Sequence, residues 1–175
     1  MPHALPVTPL TTPASPADIT ALASLLVDAV HGGAAVSFLQ PLDLTTAANW
    51  WRSTIDSLHP RSTILVARDN GTIVGSVTIS AAWAPNQPHR AEICKLLVHS
   101  SHHRRGIGES LMLAAEAAAK QASYTLLTLD AREGGPAERL YERLNWTRVG
   151  SIPNFAVNAD HSGNHATVIF YKQLT

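Results

Sequence analysis

A short basic stretch with two glycines, His103-Arg104-Arg105-Gly106-Ile107-Gly108, is the part of the sequence best suited to bind a ligand. It follows an apolar run and precedes an alanine-rich segment with helical periodicity, so it lies where a strand ends and a helix begins. The first amides of a helix have no intrahelical acceptors and carry partial positive charge. Glycine lets a ligand approach the backbone, and the arginines add positive charge. We therefore predict a binding loop for an anion, such as a phosphate-bearing cofactor.

Two carboxylates stand in otherwise apolar strand patterns and are candidates for proton transfer. Glu92 interrupts the strand that leads into the loop, and Asp130 ends the next apolar strand. A carboxylate surrounded by apolar side chains is a weaker acid and can accept a proton near neutral pH. Either residue could instead pair with an arginine or bind a substrate ammonium group without moving a proton.

Three histidines, His99, His102 and His103, lie close to the loop in sequence. Their spacing matches no common metal site, and no cysteine or carboxylate joins them. We predict no metal and expect solvated side chains that face a phosphate. The loop also lacks the spacing of a nucleotide-binding P-loop.

The composition is that of one globular domain, which we assign to residues 1–175. Of the 175 residues, 45% are hydrophobic and 15% charged, and the formal net charge is zero, which argues against a nucleic-acid surface. The single cysteine, Cys94, excludes an internal disulfide. There is no apolar run of the ~20 residues that span a membrane and no pattern of a secretory signal. We expect a cytoplasmic protein, monomer or homodimer, that binds neither nucleic acid nor membrane.

Strands and helices alternate through the middle of the chain, which predicts an α/β fold with a mixed, mostly antiparallel sheet. The spacing predicts helices over 16–30, 44–58, 107–122 and 136–144, with Glu109, Glu116 and Lys120 facing solvent. It predicts strands over 7–10, 63–67, 72–83, 90–99, 125–129, 146–151 and 166–172. The strand over 125–129 is apolar on both faces, so we expect it to be covered on both. Residues 153–163 are expected to form a loop.

Two segments resemble the signature of the GNAT superfamily of N-acetyltransferases. The loop fits that family's Arg/Gln-x-x-Gly-x-Gly/Ala pattern, except that His103 replaces the first residue, and the segment 137–146 resembles its Ala-x-x-Leu-Tyr-x-x-x-Gly-Phe pattern. The resemblance implies a sheet that splits between its two central parallel strands, flanked by helices. It also implies acetyl-CoA as cosubstrate and acetyl transfer to a primary amine by direct attack in a ternary complex.

The resemblance further implies roles for individual residues. Tyr141 would be the general acid near the thioester sulfur, with Glu92 and Asp130 as candidate bases. The alternative for Tyr141 is a core side chain packed beside Leu140 and Leu144.

Cofactor binding is expected from backbone and side chains together. The main chain of the central strand would bind the pantetheine arm and stabilise the oxyanion. Because histidine titrates near neutrality, His103 could make this binding depend on pH. The expected cofactor residues are Leu96, Leu97, Val98, His103, Arg104, Arg105, Gly106, Ile107, Gly108, Glu109 and Tyr141.

Within the superfamily, the chain is similar to the tabtoxin-resistance acetyltransferases in the segments 31–38, 90–98, 129–130 and 147–150. This similarity implies a small-molecule amine as acceptor, such as an antibiotic or toxin, and places the segment 31–38 over the acceptor. The alternative is a glycine helix stop followed by a buried Phe. Trp50, Trp51 and Trp83 could line the same pocket or belong to the core. The expected substrate residues are His31, Gly32, Gly33, Phe38, Glu92 and Asp130.

Two other functions remain open at this point. The acceptor could be a protein or peptide amine, although the neutral net charge gives no sign of an acidic surface for it. The protein could also be a CoA-binding sensor without catalysis, although the presence of Tyr141, Glu92 and Asp130 argues against that.

Overall fold

The computed structural model describes residues 5–174, which form seven strands and four α-helices. The strands are β1 (Val7–Pro9), β2 (Thr63–Asp69), β3 (Thr72–Ala81), β4 (Arg90–Val98), β5 (Leu126–Arg132), β6 (Thr147–Val157) and β7 (Asn164–Gln173). The helices are α1 (Pro16–His31), α2 (Leu44–Asp56), α3 (Ile107–Gln121) and α4 (Pro136–Arg143). A 3-10 turn, Ser100–His102, follows β4.

Helix α1 begins, and the β2–β3 hairpin turns, at the residues that the sequence predicts. The Ser15 hydroxyl accepts a hydrogen bond from the Asp18 amide at 3.1 Å, and Pro16 is the first residue of α1. Asn70 and Gly71 both have positive φ, 48° and 83°, and turn β2 back into β3 as a tight hairpin.

The sheet has the order β1-β2-β3-β4-β5-β7-β6 and divides at its centre. β4 and β5 are parallel, whereas all other neighbours are antiparallel. The two parallel strands pair only over Arg90 to Glu92 and Leu126 to Thr128, and they separate beyond this point. The mostly antiparallel α/β fold and its central split are therefore confirmed. At the closed end of the split, the Arg90 guanidinium donates to the Thr128 hydroxyl at 2.9 Å.

Helices cover both faces of the sheet. On one face, the buried side chains of α1 and α2 pack on β2, with Leu26, Trp51 and Val66 in one cluster. On the other face, α3 and α4 pack over the centre of the sheet, with Leu111, Tyr141 and Phe170 among the buried residues.

Three sequence-based predictions differ from the structure. β6 continues to Val157 rather than ending in a loop, because an edge strand tolerates Pro153 where its register shifts between Ile152 and Ala156. β5 is fully buried on one face only: Leu127 and Leu129 are buried, whereas Leu126 and Thr128 on the other face are half-buried. Glu116 does not simply face solvent: it accepts hydrogen bonds from Trp146 Nε1 at 2.8 Å and Lys172 Nζ at 2.7 Å.

No helix within residues 5–174 has the length and apolarity to cross a membrane.

Candidate active site

The basic glycine loop forms an open helix start. Gly106 caps α3 in the left-handed conformation with φ 77°, and Arg104 before it has φ 60°. Among the described residues, no side chain accepts a hydrogen bond from the amides of residues 104–109. The first amides of a 15-residue helix therefore lie beside two arginines without a side-chain acceptor, which suits an anion.

Two aspartates from other elements hold this loop in place. Asp28 of α1 accepts hydrogen bonds from the Ser100 amide and the Ser100 hydroxyl, both at 2.7 Å. Burial alone would raise the pKa of Asp28, but the Ser100 hydrogen bonds and nearby His99 and His103 lower it overall. The loop is thus fixed to α1 before any ligand binds.

Asp69, at the end of β2, makes the second attachment. Its carboxylate lies 3.1 Å from His102 Nε2 and 3.4 Å from Arg105 Nη1. The expectation that no carboxylate joins the histidines is therefore wrong, because the chain folds Asp28 and Asp69 against them. His103 Nε2 donates to the Val98 carbonyl at 2.7 Å, so this imidazole folds back onto the end of β4.

The open edge of β4 begins where β5 departs. Beyond Glu92, no described residue of β5 pairs with β4, whereas β3 stays paired with it as far as Val98. The β3–β4 register shifts between Thr78 and Ser76, and Lys95 takes φ 53° at this bulge. Leu96, Leu97 and Val98 follow the bulge, so their main chain lies along the fork between the strands.

Tyr141 lies in the core beside the same fork. Its ring centroid is 5.8 Å from that of Phe170 and 6.0 Å from that of Trp146, and the residue is buried. Burial raises the pKa of Tyr141, and the negative charge of Asp130 raises it further. Tyr141 is thus a core residue, but this position does not conflict with a catalytic role. Its phenol is protonated at neutral pH and lies near a carboxylate, so it could act as a general acid.

A cavity of about 290 Å³ opens next to Asp130. The segment 35–39 forms one wall, and the ends of β6 and β7 form another. Thr167 Oγ1 lies 3.1 Å from Asp130 Oδ2 and 3.0 Å from the Ala131 carbonyl, so its one hydroxyl proton is shared between these two acceptors at the cavity wall. Phe38 and Asp130 are the sequence-predicted substrate residues that line it. Sequence analysis did not single out the further lining residues Arg132, Phe155, Val157 and Thr167.

The remaining predicted substrate residues lie around the cavity rather than along its wall. The Gly33 carbonyl accepts from Arg132 Nη1 at 3.4 Å, and Gly32 ends α1 with its amide bonded to the Asp28 carbonyl at 2.9 Å. His31 Nε2 accepts from the Leu42 amide at 3.4 Å. Glu92 is exposed at the last paired position of β4 and β5, outside the cavity wall.

Both candidate bases are exposed, so the apolar setting expected for Glu92 and Asp130 is not found. Of the two alternatives for Trp50, Trp51 and Trp83, the structure supports core or surface positions, because none of them lines the cavity. Trp51 is fully buried, Trp83 is 91% exposed, and Trp50 packs edge-on against Phe38 at 5.2 Å. Trp50 therefore supports the cavity wall from behind.

The sequence of this chain matches a known protein family. The model of the acetyltransferase (GNAT) family matches residues 26–146, which is more than half of the chain. The chain belongs to the GNAT acetyltransferase family. It is an N-acetyltransferase that uses acetyl-CoA as cosubstrate, as the loop and the tyrosine segment predicted.

Solved structures share the fold of this GNAT acetyltransferase at low sequence identity. A GCN5-related N-acetyltransferase from Kribbella flavida is 22% identical with a TM-score of 0.81, over 99% of this chain and 100% of that one. A ribosomal-protein-alanine N-acetyltransferase from Brucella melitensis is 20% identical with a TM-score of 0.79, over 97% and 100%. A protein from Salmonella typhimurium, assigned as an acetyltransferase and solved with acetyl-CoA, is 19% identical with a TM-score of 0.79, over 99% and 95%.

The residues of this GNAT acetyltransferase fit its cosubstrate. The α3 start offers amides and arginines to the diphosphate, and the open edge of β4 offers main-chain groups to an extended arm. A Cβ built on Gly108 would lie 3.5 Å from Leu140 and 3.9 Å from Val98, which are ordinary contacts. The fold itself therefore does not require glycine at 108, which is consistent with a ligand approaching the backbone there.

Proposed function

We propose that this GNAT acetyltransferase transfers the acetyl group of acetyl-CoA to a primary amine of a small molecule, within one domain and by direct attack in a ternary complex. The observation that carries the proposal is the cavity of about 290 Å³ with Asp130 in its wall, the carboxylate whose charge acts on the buried Tyr141. Its volume is close to the lower end of ordinary small-molecule sites.

The donor would be held by the loop and by the central strand. The amides that begin α3, with Arg104, Arg105 and the adjoining Gly106, Ile107, Gly108 and Glu109, would bind the diphosphate. The main chain of Leu96, Leu97 and Val98 would hold the pantetheine arm, and one of its amides would stabilise the oxyanion. Bound acetyl-CoA supplies an acetyl group on a thioester, which an amine can attack.

Asp130 and Tyr141 would move the two protons of the reaction. An alkylammonium has a pKa near ~10, so the acceptor must lose a proton before its nitrogen can form the new bond to carbon. Asp130 takes that proton, since it lines the cavity and Thr167 orients it. Tyr141 gives its hydroxyl proton to the sulfur that leaves when the thioester bond breaks. Glu92 remains a second candidate base at the closed end of the fork.

Direct attack is favoured over an acetylated enzyme by the state of the one cysteine. Cys94 lies on β4 near the fork, and burial raises its pKa to about 11. A neutral thiol is a poor nucleophile, so Cys94 offers no thiolate to carry the acetyl group at neutral pH.

Hydrogen bonds between two segments at the edge of the cavity favour a small acceptor rather than a peptide. The Gln40 amide donates to the Ala159 carbonyl at 2.7 Å, and His161 Nε2 donates to the Gln40 carbonyl at 2.7 Å. These bonds join the segment that follows α1 to the β6–β7 connection above the cavity. An extended peptide would need this cover to move aside.

The similarity of segments 31–38 and 90–98 to tabtoxin-resistance acetyltransferases supports a toxin or antibiotic amine as acceptor and a role in resistance. A protein amine is the alternative, since the similar Brucella melitensis protein is a ribosomal-protein-alanine N-acetyltransferase. We propose cytoplasmic action, where acetyl-CoA is available.

Thiol release from acetyl-CoA, measured with a panel of small amines and a panel of peptides, tests the proposal. We expect release with small amines and little with peptides. The variant Gly108→Asp should weaken acetyl-CoA binding by at least ~10-fold in calorimetry, because it adds bulk and negative charge at the diphosphate site. Release with peptides alone would indicate a protein acceptor. Acetyl-CoA binding without release from any amine would indicate a sensor.

A further inference from the structure

The acceptor cavity contains two opposite charges close together. Asp130 is the carboxylate and Arg132 the guanidinium of its wall, and they lie two positions apart on β5. His165 also lines the wall, and its Nδ1 lies 3.1 Å from Asn158 Oδ1. Residues i and i+2 of a strand point to the same face, with about 7 Å between their Cα atoms. Both side chains are exposed toward the cavity side of the strand.

Neither charge is neutralised by an ion pair among residues 5–174. The nearby Asp160 is engaged elsewhere, since it accepts from the Ser162 hydroxyl at 2.6 Å and from the Ser162 amide at 3.0 Å. Arg132 donates to the Gly33 carbonyl at 3.4 Å, and its positive charge also lowers the pKa of Asp160, although the two side chains form no ion pair. Arg132 thus presents a cation, and Asp130 an anion, to whatever enters the cavity.

We infer that the acceptor carries an acidic group in addition to its amine: the amine faces Asp130, and a carboxylate, phosphonate or phosphinate faces Arg132. This inference rests on the proposed function and narrows its substrate class to amino-acid-like zwitterions. A guanidinium binds such oxyanions through paired, charge-assisted hydrogen bonds. A plain amine would leave Arg132 unmatched, and a diamine would place a second cation against it.

The rest of the wall suits a short aliphatic body between the two charged groups. Val36, Phe38, Phe155 and Val157 contribute apolar surface around Asp130 and Arg132. The cavity volume of about 290 Å³ leaves room for an amino acid with a short side chain.

Matched pairs of acceptors test the inference directly. Each acid, such as 2-aminobutyrate or 4-aminobutyrate, is compared with propylamine, the amine that lacks its carboxylate, and with the corresponding aminophosphonate. We expect kcat/KM to be about 10-fold to 100-fold higher for the acids than for the plain amine. Arg132→Gln should bring this ratio close to one by lowering kcat/KM for the acids, while the KM for acetyl-CoA changes little.

Two further variants serve as controls. Arg132→Lys keeps the charge and should keep most of the preference for acids. Arg148 is an exposed arginine of β6 that pairs with Glu133 at 2.9 Å, outside the cavity. Arg148→Gln should therefore leave the preference for acids unchanged.

The outcomes separate the inference from the proposed function. If plain amines are used as well as the acids, and Arg132→Gln changes nothing, the inference is overturned while the proposed function stands. If no small amine of the panel is acetylated although acetyl-CoA binds, the proposed function is overturned and the inference with it.

Discussion

Tyr141 and Asp130 are coupled in a way that suits two linked proton transfers. Burial is the main cause that raises the pKa of Tyr141, and the negative charge of Asp130 is the second. In the proposed mechanism, Asp130 would take a proton from the acceptor amine, and its negative charge would no longer raise the pKa of Tyr141. The phenol would then be a better proton donor at the stage when the leaving sulfur needs a proton.

Replacement of this tyrosine tests the coupling. Tyr141→Phe should lower kcat by about 100-fold or more, the usual contribution of a general acid, and leave the KM for acetyl-CoA within about 2-fold. Steady-state kinetics measure both constants.

Tyr124→Phe is a matched control, since this buried phenol donates to the Arg61 carbonyl at 2.8 Å outside the cavity. It should lower stability by about 1 kcal/mol and leave kcat unchanged. An unchanged kcat in Tyr141→Phe would remove this residue from the mechanism.

At the residue scale, the sequence predicts some of the candidate site and misses the rest for identifiable reasons. Asp130 and Tyr141 stand in recognisable strand and motif contexts. Arg132 belongs to no motif, and it joins the cavity only because β5 is exposed on the face where Asp130 lies. Phe155 and Val157 were missed because Pro153 predicted a loop there, whereas the edge position of β6 allows the strand to continue.

At the element scale, the position of the basic glycine loop is fixed by α1, a helix far from it in sequence. Asp28 of α1 reaches the turn that follows β4 and bonds Ser100 twice at 2.7 Å. These bonds fix where α3 begins relative to β4. Asp28 is therefore a positioning residue for the donor site, since it acts through Ser100 and does not itself line the loop.

The variant Asp28→Asn tests this attachment. An amide side chain has one acceptor oxygen in place of two and carries no charge, so its Nδ2 must donate to the Ser100 hydroxyl, and both Ser100 bonds are weaker than those to the carboxylate. We expect the KM for acetyl-CoA to rise several-fold with kcat largely retained. Asp56→Asn, an exposed change at the end of α2, is the control and should leave both constants unchanged. Equal KM values for Asp28→Asn and wild type would contradict the positioning role.

Elements specified by neighbouring residues were predictable, and those specified by distant residues were not. Ser15 and Pro16 start α1 by local hydrogen bonding and geometry, and Asn70-Gly71 turns the β2–β3 hairpin in the same way. Glu116 was placed in solvent because helical periodicity does not reveal Trp146 and Lys172, which reach it from other elements. The split sheet was predictable only through the family resemblance.

At the scale of the whole molecule, several carboxyl groups link folding to pH. The pKa values of Asp18, Asp28, Asp43 and Asp160 are all lowered in the folded protein. For Asp18, the main cause is the hydrogen bond from Arg68 at 2.7 Å. Because the unfolded chain binds these protons more readily, their stabilisation is complete above about pH 4 and is lost as the pH falls below it.

Thermal unfolding measured at a series of pH values tests this link. We expect Tm to change little near pH 6 and to fall as the pH drops below about 4. Asp18→Asn should have a lower Tm near pH 6 and a shallower fall in acid, because its amide does not titrate. A Tm that stays constant down to about pH 3 would contradict the account.

The short pairing between β4 and β5 has a consequence for the two halves of the molecule. Within residues 5–174, the strand pairing that joins β1–β4 to β5–β7 covers three residues on each strand, next to the His89 carbonyl, which accepts from the Thr125 amide at 3.0 Å. The pantetheine arm of acetyl-CoA, if it lies between the diverging edges of β4 and β5, contacts both halves of the sheet and would restrict their motion relative to each other. Amide hydrogen exchange should therefore slow on both sides of the gap together when acetyl-CoA is added, including at positions that contact neither the diphosphate nor the acceptor.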